Sequence, residues 1–428
     1  MTIKAILKVK LLLILVFLNP ISFEIVFTQD GETDIVTKFI LIIINLTVLL
    51  VYCFFFFYKN DIYNFYIKLK FFGFNIFFLM FLIIILELYF GNWIKKNNIN
   101  HLNITRNATY NFQLNNLYPW EDSLSTYVRD ELGFRGEYPG PSNINILTLG
   151  GSTTAQKFIS EGYTWQDIMQ KEFFKNGKEI YVVNAGVDGQ SSLGHLAAFE
   201  DWFNSIPNLR VDYFLVYTGI NDFMLNESSP VFGRDYLIND INKKSSFSIL
   251  QKKSALFFAL QKLKGYYVAK KRRARHQKID LNEANWFDYP LLSMHIEEYK
   301  GYLEKYESRM IKLLKKINDF GSKAIIVSHS ANGLWMKEGD IIYGIDANIC
   351  NSDGINGKRY NGVDYYYFKS LLNNKIEEIC NLRDVPYLDI DDFLIFDLNH
   401  DLYDTMHNTP SGAKKIGYLL YDKLAYLF

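Results

Sequence analysis

Two motifs at opposite ends of the chain's soluble part contain the residue types for acyl transfer to a serine. Gly-Gly-Ser-Thr-Thr (150–154) places Ser152 at a turn, where its hydroxyl would be exposed and its own N–H could bind an oxyanion. Asp404 lies three residues before His407, so its carboxylate could bend back and fix the tautomer of the imidazole. The other ring nitrogen of His407 could then take the serine proton. Each motif also has an ordinary interpretation, as a plain turn and as a helix cap.

Two further motifs could supply hydrogen-bond donors to the same reaction. In Asn-Ala-Gly-Val-Asp-Gly-Gln (184–190), Gly186 would let a backbone N–H approach a ligand closely. In Thr-Gly-Ile-Asn-Asp-Phe (218–223), the Asn221 side chain could donate an N–H to a developing negative charge. Alone, each of these motifs is typical of a turn between a strand and a helix. The four motifs together are far more specific than any one of them.

The elements that must position these residues follow an alternating pattern. Short apolar runs typical of buried parallel strands occur at 144–149, 180–184, 213–217, 324–328 and 386–390. Helical stretches are predicted at 164–175, 193–203, 295–319, 363–382 and 411–427. Such alternation predicts an α/β fold, with a parallel sheet of about five strands and helices on both faces. All four motifs directly follow predicted strands or precede the last helix, where ligands bind in such sheets.

The order Ser, Gly, Asn and His across these motifs resembles the SGNH (GDSL-like) hydrolase family, which is named for those four residues. The resemblance implies Ser152 as nucleophile, His407 as general base and Asp404 as the residue that orients His407. It also implies an oxyanion hole formed by Ser152, Gly186 and Asn221, and a flavodoxin-like three-layer sandwich. No metal or organic cofactor is implied.

The resemblance extends from about residue 132 to the carboxyl terminus, apart from one insertion. Glu-Leu-Gly-Phe-Arg-Gly (131–136) looks like the segment that precedes the first strand in bacterial members. The Gly-Asp-Ser of the family stands here as Gly-Gly-Ser, a frequent variant. We therefore expect a serine esterase acting on acyl esters, with O-acetyl esters of an envelope glycan or lipid as the leading substrates. An O-acyltransferase with a membrane acyl-donor partner, and a catalytically silent glycan-binding module, are the alternatives.

The first ninety-six residues predict a membrane anchor. Residues 39–58 and 71–90 are almost uniformly apolar and long enough to cross a bilayer, and residues 11–27 form a weaker candidate. Lysines precede residues 11–27, and others lie between residues 58 and 71. Both of these segments are therefore predicted to be cytoplasmic, which requires three spans in all. Everything after Phe90 would then lie outside the cytoplasm, as in a multi-pass protein of a bacterial inner membrane. We expect a lead-in at 97–140 and the hydrolase domain at 141–428.

A basic insertion at about 231–292 interrupts the alternation. Residues 243–278 contain twelve Lys or Arg and no Asp or Glu, and Leu256, Leu260 and Leu263 recur at helical spacing. A basic amphipathic helix could lie on an anionic membrane or contact an acidic glycan. The alternative is a helix that packs on the domain and leaves a solvated basic face.

Composition excludes several other classes of protein. The 46 Lys and Arg balance 46 Asp and Glu, so the chain lacks the basic surplus expected of a nucleic-acid binder. Three cysteines are too few for a disulfide scaffold or a cysteine-rich zinc module. In an exported domain Cys350 and Cys380 could pair, although two reduced buried thiols are an equal alternative.

Overall fold

The structure describes most of the chain after residue 104 and only scattered positions before it. The computed structural model describes residues 104–114, 117–119, 123–219, 221–222, 278–281, 284–289, 296–329, 333–350 and 360–428, with scattered positions at 42–93 and 253–260. The chain divides into two compact units, Met1–Ile85 and Leu86–Phe428. In the second, the strands are Ala108–Gln113 (β1), Leu124–Arg129 (β2), Ile144–Gly150 (β3), Val182–Asn184 (β4), Val211–Thr218 (β5), Trp286–Phe287 (β6), Lys323–Ser328 (β7), Trp335–Glu338 (β8), Ile341–Ile345 (β9) and Tyr387–Asp389 (β10). Its α-helices are Ser152–Ala155 (α1), Trp165–Lys175 (α2), Ser192–Ala197 (α3), Ile296–Asp319 (α4), Ala347–Cys350 (α5), Gly362–Asn381 (α6) and Pro410–Leu424 (α7).

A five-stranded parallel sheet forms the centre of the second unit. Its strand order is β10-β7-β5-β3-β4, and all of its pairings are parallel. Counted along the chain, the five strands lie in the order 2-1-3-4-5 that is typical of flavodoxin-like folds. Each of them overlaps one of the five predicted strands, so the α/β prediction and its sheet are confirmed.

Helices cover both faces of this sheet because successive side chains of each strand point to opposite sides. Ile146, Leu215 and Ile325 pack on one face against α2 and α7. Leu147, Phe214 and Ile326 pack on the other face, against α3, α4 and α6. The result is three layers, as the family resemblance implies.

The helix boundaries follow from capping. Thr164 accepts from the N–H of Asp167 and begins α2, and Asn361 does the same with Asp364 for α6. Predicted helix 193–203 differs most from the structure: α3 ends at Ala197, and a π-helical turn and a 3₁₀ turn continue to Ser205. The other predicted helices agree to within three residues at each end.

The segment before the central sheet packs closely against it. β1 and β2 form an antiparallel hairpin. The guanidinium of Arg135 is buried and donates to the carbonyls of Ala155, Gln156 and Ile159, which follow the Ser152 turn. Arg129 is also buried and donates to the carbonyls of Asn184 and Gly186. The lead-in therefore stabilises two of the four motif loops through hydrogen bonds to their carbonyls.

A second small sheet, of order β6-β9-β8, is antiparallel and was not predicted. β8 and β9 come from the segment between β7 and α6, which the sequence pattern left without an element. Cys350 and Cys380 are both free thiols, one half-buried and the other buried, so the structure favours the reduced alternative.

Much of the predicted anchor lies outside the described residues, including all of 11–27. Within 39–58 and 71–90, the described positions from Ile42 to Leu88 are helical, and most of their apolar side chains are exposed. In the part of the chain that the structure describes, no helix is both long enough and apolar enough to cross a bilayer.

Much of the basic insertion lies outside the described residues as well, including the run at 270–275. The described positions at 253–260 are mostly helical, with Leu256 and Leu260 exposed. Glu87 accepts hydrogen bonds from Ser254 Oγ and the Leu256 N–H, both at 2.8 Å. The insertion therefore contacts the chain close to the end of the second apolar stretch.

Candidate active site

Ser152 lies at the sharp turn between β3 and α1. The two glycines before it leave no room for a side chain: a Cβ at Gly150 would lie 1.9 Å from Thr154 Oγ1, and one at Gly151 would lie 2.0 Å from Asn221 Nδ2. Because Ser152 is the first residue of α1, its N–H has no partner within the helix. The turn therefore presents both a hydroxyl and an N–H at the carboxyl end of β3.

His407 and Asp404 meet Ser152 from the loop before α7. His407 Nε2 is 2.7 Å from Ser152 Oγ, and His407 Nδ1 is 2.7 Å from Asp404 Oδ2. Asp404 Oδ1 also accepts from the N–H groups of Met406 and His407, at 2.9 and 2.8 Å. These backbone bonds hold the carboxylate bent back onto the ring, so the three side chains form one continuous hydrogen-bonded chain.

The charges in this chain favour proton uptake by His407. Burial alone would lower the pKa of His407, but the Asp404 carboxylate, with a smaller contribution from Asp188, outweighs it and raises that pKa. Burial likewise opposes ionisation of Asp404, yet His407 and the hydrogen bonds to the carboxylate lower its pKa. Asp404 thus stays ionised and stabilises the imidazolium that forms when the serine loses its proton.

An aromatic ring fixes the plane of the imidazole. Tyr403 stacks on His407 with ring centroids 5.6 Å apart and an angle of 9° between planes. Tyr403 is buried and packs in turn against Tyr118 and Phe158. No sequence pattern predicts this contact, since Tyr403 precedes the motif and Tyr118 lies far away in the chain.

Two of the three predicted oxyanion donors, the Ser152 N–H and the Asn221 amide, lie at the turn between β3 and α1. The Ser152 N–H has no helical acceptor, and Asn221 Nδ2 lies against the Gly151 backbone, as its distance from a Cβ there shows. One N–H of the Asn221 amide donates to the carbonyl of Gln190 at 3.0 Å. That bond fixes the amide and leaves its second N–H for a ligand.

Gly186 does not fit the predicted role. Its N–H donates to Asn184 Oδ1 at 2.8 Å, and a Cβ there would lie 2.4 Å from the Ala155 nitrogen. The absent side chain therefore serves close packing of the loop against α1, and the N–H is already engaged. The prediction for Gly186 is wrong because the type of residue alone does not distinguish a glycine needed for close packing from one whose N–H binds a ligand.

Gly189 is the better candidate for the third donor. It has φ +71°, a left-handed conformation that favours glycine. The N–H groups of Ala185, Val187 and Gln190 all donate to backbone carbonyls. No acceptor for the Gly189 N–H is found among the described residues, and Gly189 lies between Asp188, which acts on His407, and Gln190, which holds Asn221.

The geometry is that of a serine hydrolase active site. Four loops at the carboxyl ends of parallel strands supply nucleophile, base, orienting acid and oxyanion donors, in the chain order of the SGNH family that the sequence resembles. In the described part of the chain, no three His, Cys, Asp or Glu side chains lie together as metal ligands would.

Comparison with known proteins finds likeness among solved structures only. No protein-family model matches the chain, and no curated protein matches it. Est24, a carbohydrate acetylesterase from Sinorhizobium meliloti, is 12% identical with a TM-score of 0.35, covering 67% of this chain and 100% of its own. The native aryl esterase of M. smegmatis is 11% identical with a TM-score of 0.36, covering 67% and 100%. The esterase EstA of Pseudoalteromonas sp. is 11% identical with a TM-score of 0.33, covering 66% and 97%.

What identifies the site is the unbroken Ser152–His407–Asp404 chain together with the strand order of the sheet that carries it.

Proposed function

We propose that the chain is a membrane-tethered serine esterase that removes acyl groups, acetyl above all, from an envelope glycan or lipid. The observation that carries this proposal is the triad geometry, with both of its shared hydrogen bonds at 2.7 Å. A serine hydroxyl in such a hydrogen-bonded chain is a nucleophile toward ester carbonyls.

The proposed reaction has two half-reactions. His407 Nε2 takes the proton of Ser152 Oγ as the oxygen attacks the ester carbonyl carbon. The N–H groups of Ser152 and Gly189 and the Asn221 amide bind the resulting oxyanion, each typically contributing about 3 kcal/mol in comparable sites. The C–O bond to the alcohol breaks, and that alcohol leaves with the proton from His407. Water activated by His407 then cleaves the acyl-serine and releases the carboxylic acid.

Attachment to the membrane and an extracytoplasmic active site are further parts of the proposal. Exposed apolar side chains at the described helical positions between 72 and 88 support a helix in lipid. The lysines before residue 11 and between residues 58 and 71 support three spans. The contact of Glu87 with Ser254 and Leu256 supports a basic insertion held at the bilayer surface. A reporter fused after Phe428 should be active in the periplasm, and activity confined to the cytoplasm would refute this topology.

The catalytic proposal is tested with the full chain in detergent. Acetate, butyrate and octanoate esters of 4-nitrophenol should be hydrolysed by the parent and left intact by Ser152→Ala. Ser142→Ala, at an exposed serine outside the site, should keep parental rates. Equal activity in Ser152→Ala and the parent would refute the serine mechanism.

The same experiment separates hydrolysis from transfer. Mass spectrometry of the parent after brief mixing should show a transient acyl-serine that decays in water. An acyl-serine that persists until a sugar alcohol is added would instead indicate the acyltransferase.

A further inference from the structure

A cavity of about 320 Å³ opens beside the catalytic loops and has no role in the mechanism above. The β1–β2 hairpin supplies one wall, through Tyr110, Phe112 and Tyr127. The loops that follow Ser152 and contain Gly189 supply the other, through Lys157 and Asp188. The hairpin therefore forms a binding wall that no element of the central sheet provides.

The cavity adjoins the reacting groups. Asp188 lines it and is also close enough to His407 to help raise the pKa of that residue. Rings connect the two places: Phe112 packs on Phe158 at 5.2 Å, and Phe158 packs on Tyr403, which stacks on His407. The aromatic wall of the cavity is therefore continuous with the packing around His407, and Asp188 lies close to both places.

The aromatic wall offers a ring face to a ligand. Tyr110 and Phe112 stack with centroids 5.9 Å apart and 27° between planes, and Tyr110 is 47% exposed. The C–H face of a sugar ring packs on such a surface, and the exposed aromatic area is otherwise a cost in water.

Polar groups with unused hydrogen-bonding capacity face the aromatic wall. The Lys157 ammonium lies 4.7 Å from the centroid of Phe112, and no acceptor for it is found among the described residues. Asp188 Oδ1 is buried without a hydrogen-bond partner there. Arg129, in contrast, is fully engaged with backbone carbonyls and Tyr127. An ammonium and a carboxylate oxygen without hydrogen-bond partners among the described residues suit the hydroxyls of a sugar, whereas a long acyl chain would leave both unsatisfied.

We propose that this cavity is a subsite for one pyranose ring of an acylated glycan, with the ring on Tyr110 and its hydroxyls bound by Lys157 and Asp188. This inference rests on the proposed esterase function and narrows its substrate from glycan or lipid to glycan.

The kinetic test compares sugar esters with an ester that has no sugar. The full chain in detergent is assayed with 4-nitrophenyl acetate and with acetylated xylotetraose, chitotetraose and trigalacturonate. Tyr110→Ala and Lys157→Met should each raise KM for at least one acetylated oligosaccharide about tenfold, the loss expected for one good contact. Both variants should keep parental kinetics on 4-nitrophenyl acetate.

Matched controls lie on the same domain. Tyr163 is 48% exposed and has the Lys171 ammonium 5.7 Å from its ring centroid, yet neither residue lines the cavity. Tyr163→Ala and Lys171→Met should therefore behave as the parent on every ester. Identical kinetics for cavity and control variants on all three oligosaccharides would overturn the subsite, as would an equal loss on 4-nitrophenyl acetate.

A binding measurement distinguishes a failure of the esterase proposal from a failure of the subsite proposal. Calorimetry with the three unacetylated oligosaccharides and the Ser152→Ala protein should detect binding that Tyr110→Ala weakens about tenfold. If the parent hydrolyses no ester but this binding is found, the esterase proposal fails and the subsite stands. If the parent hydrolyses esters, but no oligosaccharide binds and Tyr110→Ala changes KM for none of them, the subsite proposal fails and the esterase proposal stands.

Discussion

Asp222, the residue after Asn221, forms a buried ion pair with Arg309. Arg309 Nη2 lies 3.3 Å from Asp222 Oδ1, and the two side chains are 7% and 1% exposed. Ser192 joins them, donating its N–H to Asp222 at 3.0 Å and accepting from Arg309 Nε at 2.6 Å. A residue of α4 and the first residue of α3 therefore hold the loop that presents the Asn221 amide.

Removing Arg309 should cost both stability and turnover. Arg309→Met leaves Asp222 buried without its partner, which should lower the free energy of unfolding by about 3 kcal/mol. Because the Asn221 loop loosens, kcat on 4-nitrophenyl acetate should fall about tenfold with KM little changed. Urea unfolding followed by tryptophan fluorescence, together with steady-state kinetics, checks both effects.

The matched control for Arg309 lies on the same helix. Lys315 pairs with Asp319 at 2.7 Å, but both side chains are exposed. Lys315→Met should change the free energy of unfolding by no more than about 0.5 kcal/mol. An Arg309→Met protein with lowered stability and parental kcat would show that the ion pair is structural only.

Asn221 should act on the transition state. Asn221→Ala removes one oxyanion donor, so kcat should fall about 100-fold while KM stays close to that of the parent. The measurement is a full rate-against-concentration curve for 4-nitrophenyl acetate. A variant that raises KM and keeps kcat would assign Asn221 to substrate binding instead.

The pH profile should report the Asp404–His407 pair. Catalysis requires neutral His407, so kcat/KM rises as pH increases through its pKa, which Asp404 raises above the ordinary value of about 6.5. In Asp404→Asn the imidazole stays buried without that carboxylate, so the midpoint should move to lower pH. The plateau rate should also fall by several orders of magnitude, about 10⁴-fold where this change was made in a serine protease triad. An unshifted midpoint would mean that another group controls the profile.

His195 should make the fold sensitive to acid. Burial lowers its pKa to about 4, although Asp222 opposes that shift, and the ring Nδ1–H donates to Gln190 Oε1 over 3.0 Å. The unfolded chain takes up this proton near pH 6.5 and the folded chain only near 4, so stability is present above 6.5 and is lost as pH falls. The loss should reach about 3 kcal/mol.

Thermal unfolding in detergent between pH 7 and 4 tests the role of His195 in acid sensitivity. His195→Gln should show a shallower loss of melting temperature than the parent. His400→Gln, at a side chain 71% exposed, should follow the parental curve. Parallel curves of melting temperature against pH for all three proteins would exclude His195 as the source of the acid sensitivity.

The sheet and the triad could be predicted because their signals are local. Apolar runs such as 144–149 are typical of parallel strands buried on both faces, and the motifs of Ser152, Gly186 and Asn221 each follow a strand directly. Asp404 and His407 are three residues apart, so their contact needs no knowledge of the tertiary structure. Ser152 and His407 are far apart in sequence, and there the family resemblance supplied what spacing could not.

The parts that were missed depend on tertiary contacts. Every side chain of β1 is exposed or half-buried, so this strand lacks the apolar alternation of a core strand. Gly186 and Gly189 lie three residues apart in one motif, and only the hydrogen bonds in the structure show which N–H is engaged: that of Gly186, by the Asn184 side chain. The ion pair of Arg309 with Asp222 joins residues that no sequence pattern links.

The two buried arginines of the lead-in change where the catalytic unit begins. Arg135 reaches the carbonyls that end α1, and Arg129 reaches those of the 184–186 loop. A fragment started at residue 141 would contain every catalytic side chain and yet leave those carbonyls, and the loops that carry them, without their donors. Any soluble form prepared for crystallisation or screening should therefore start upstream of residue 104.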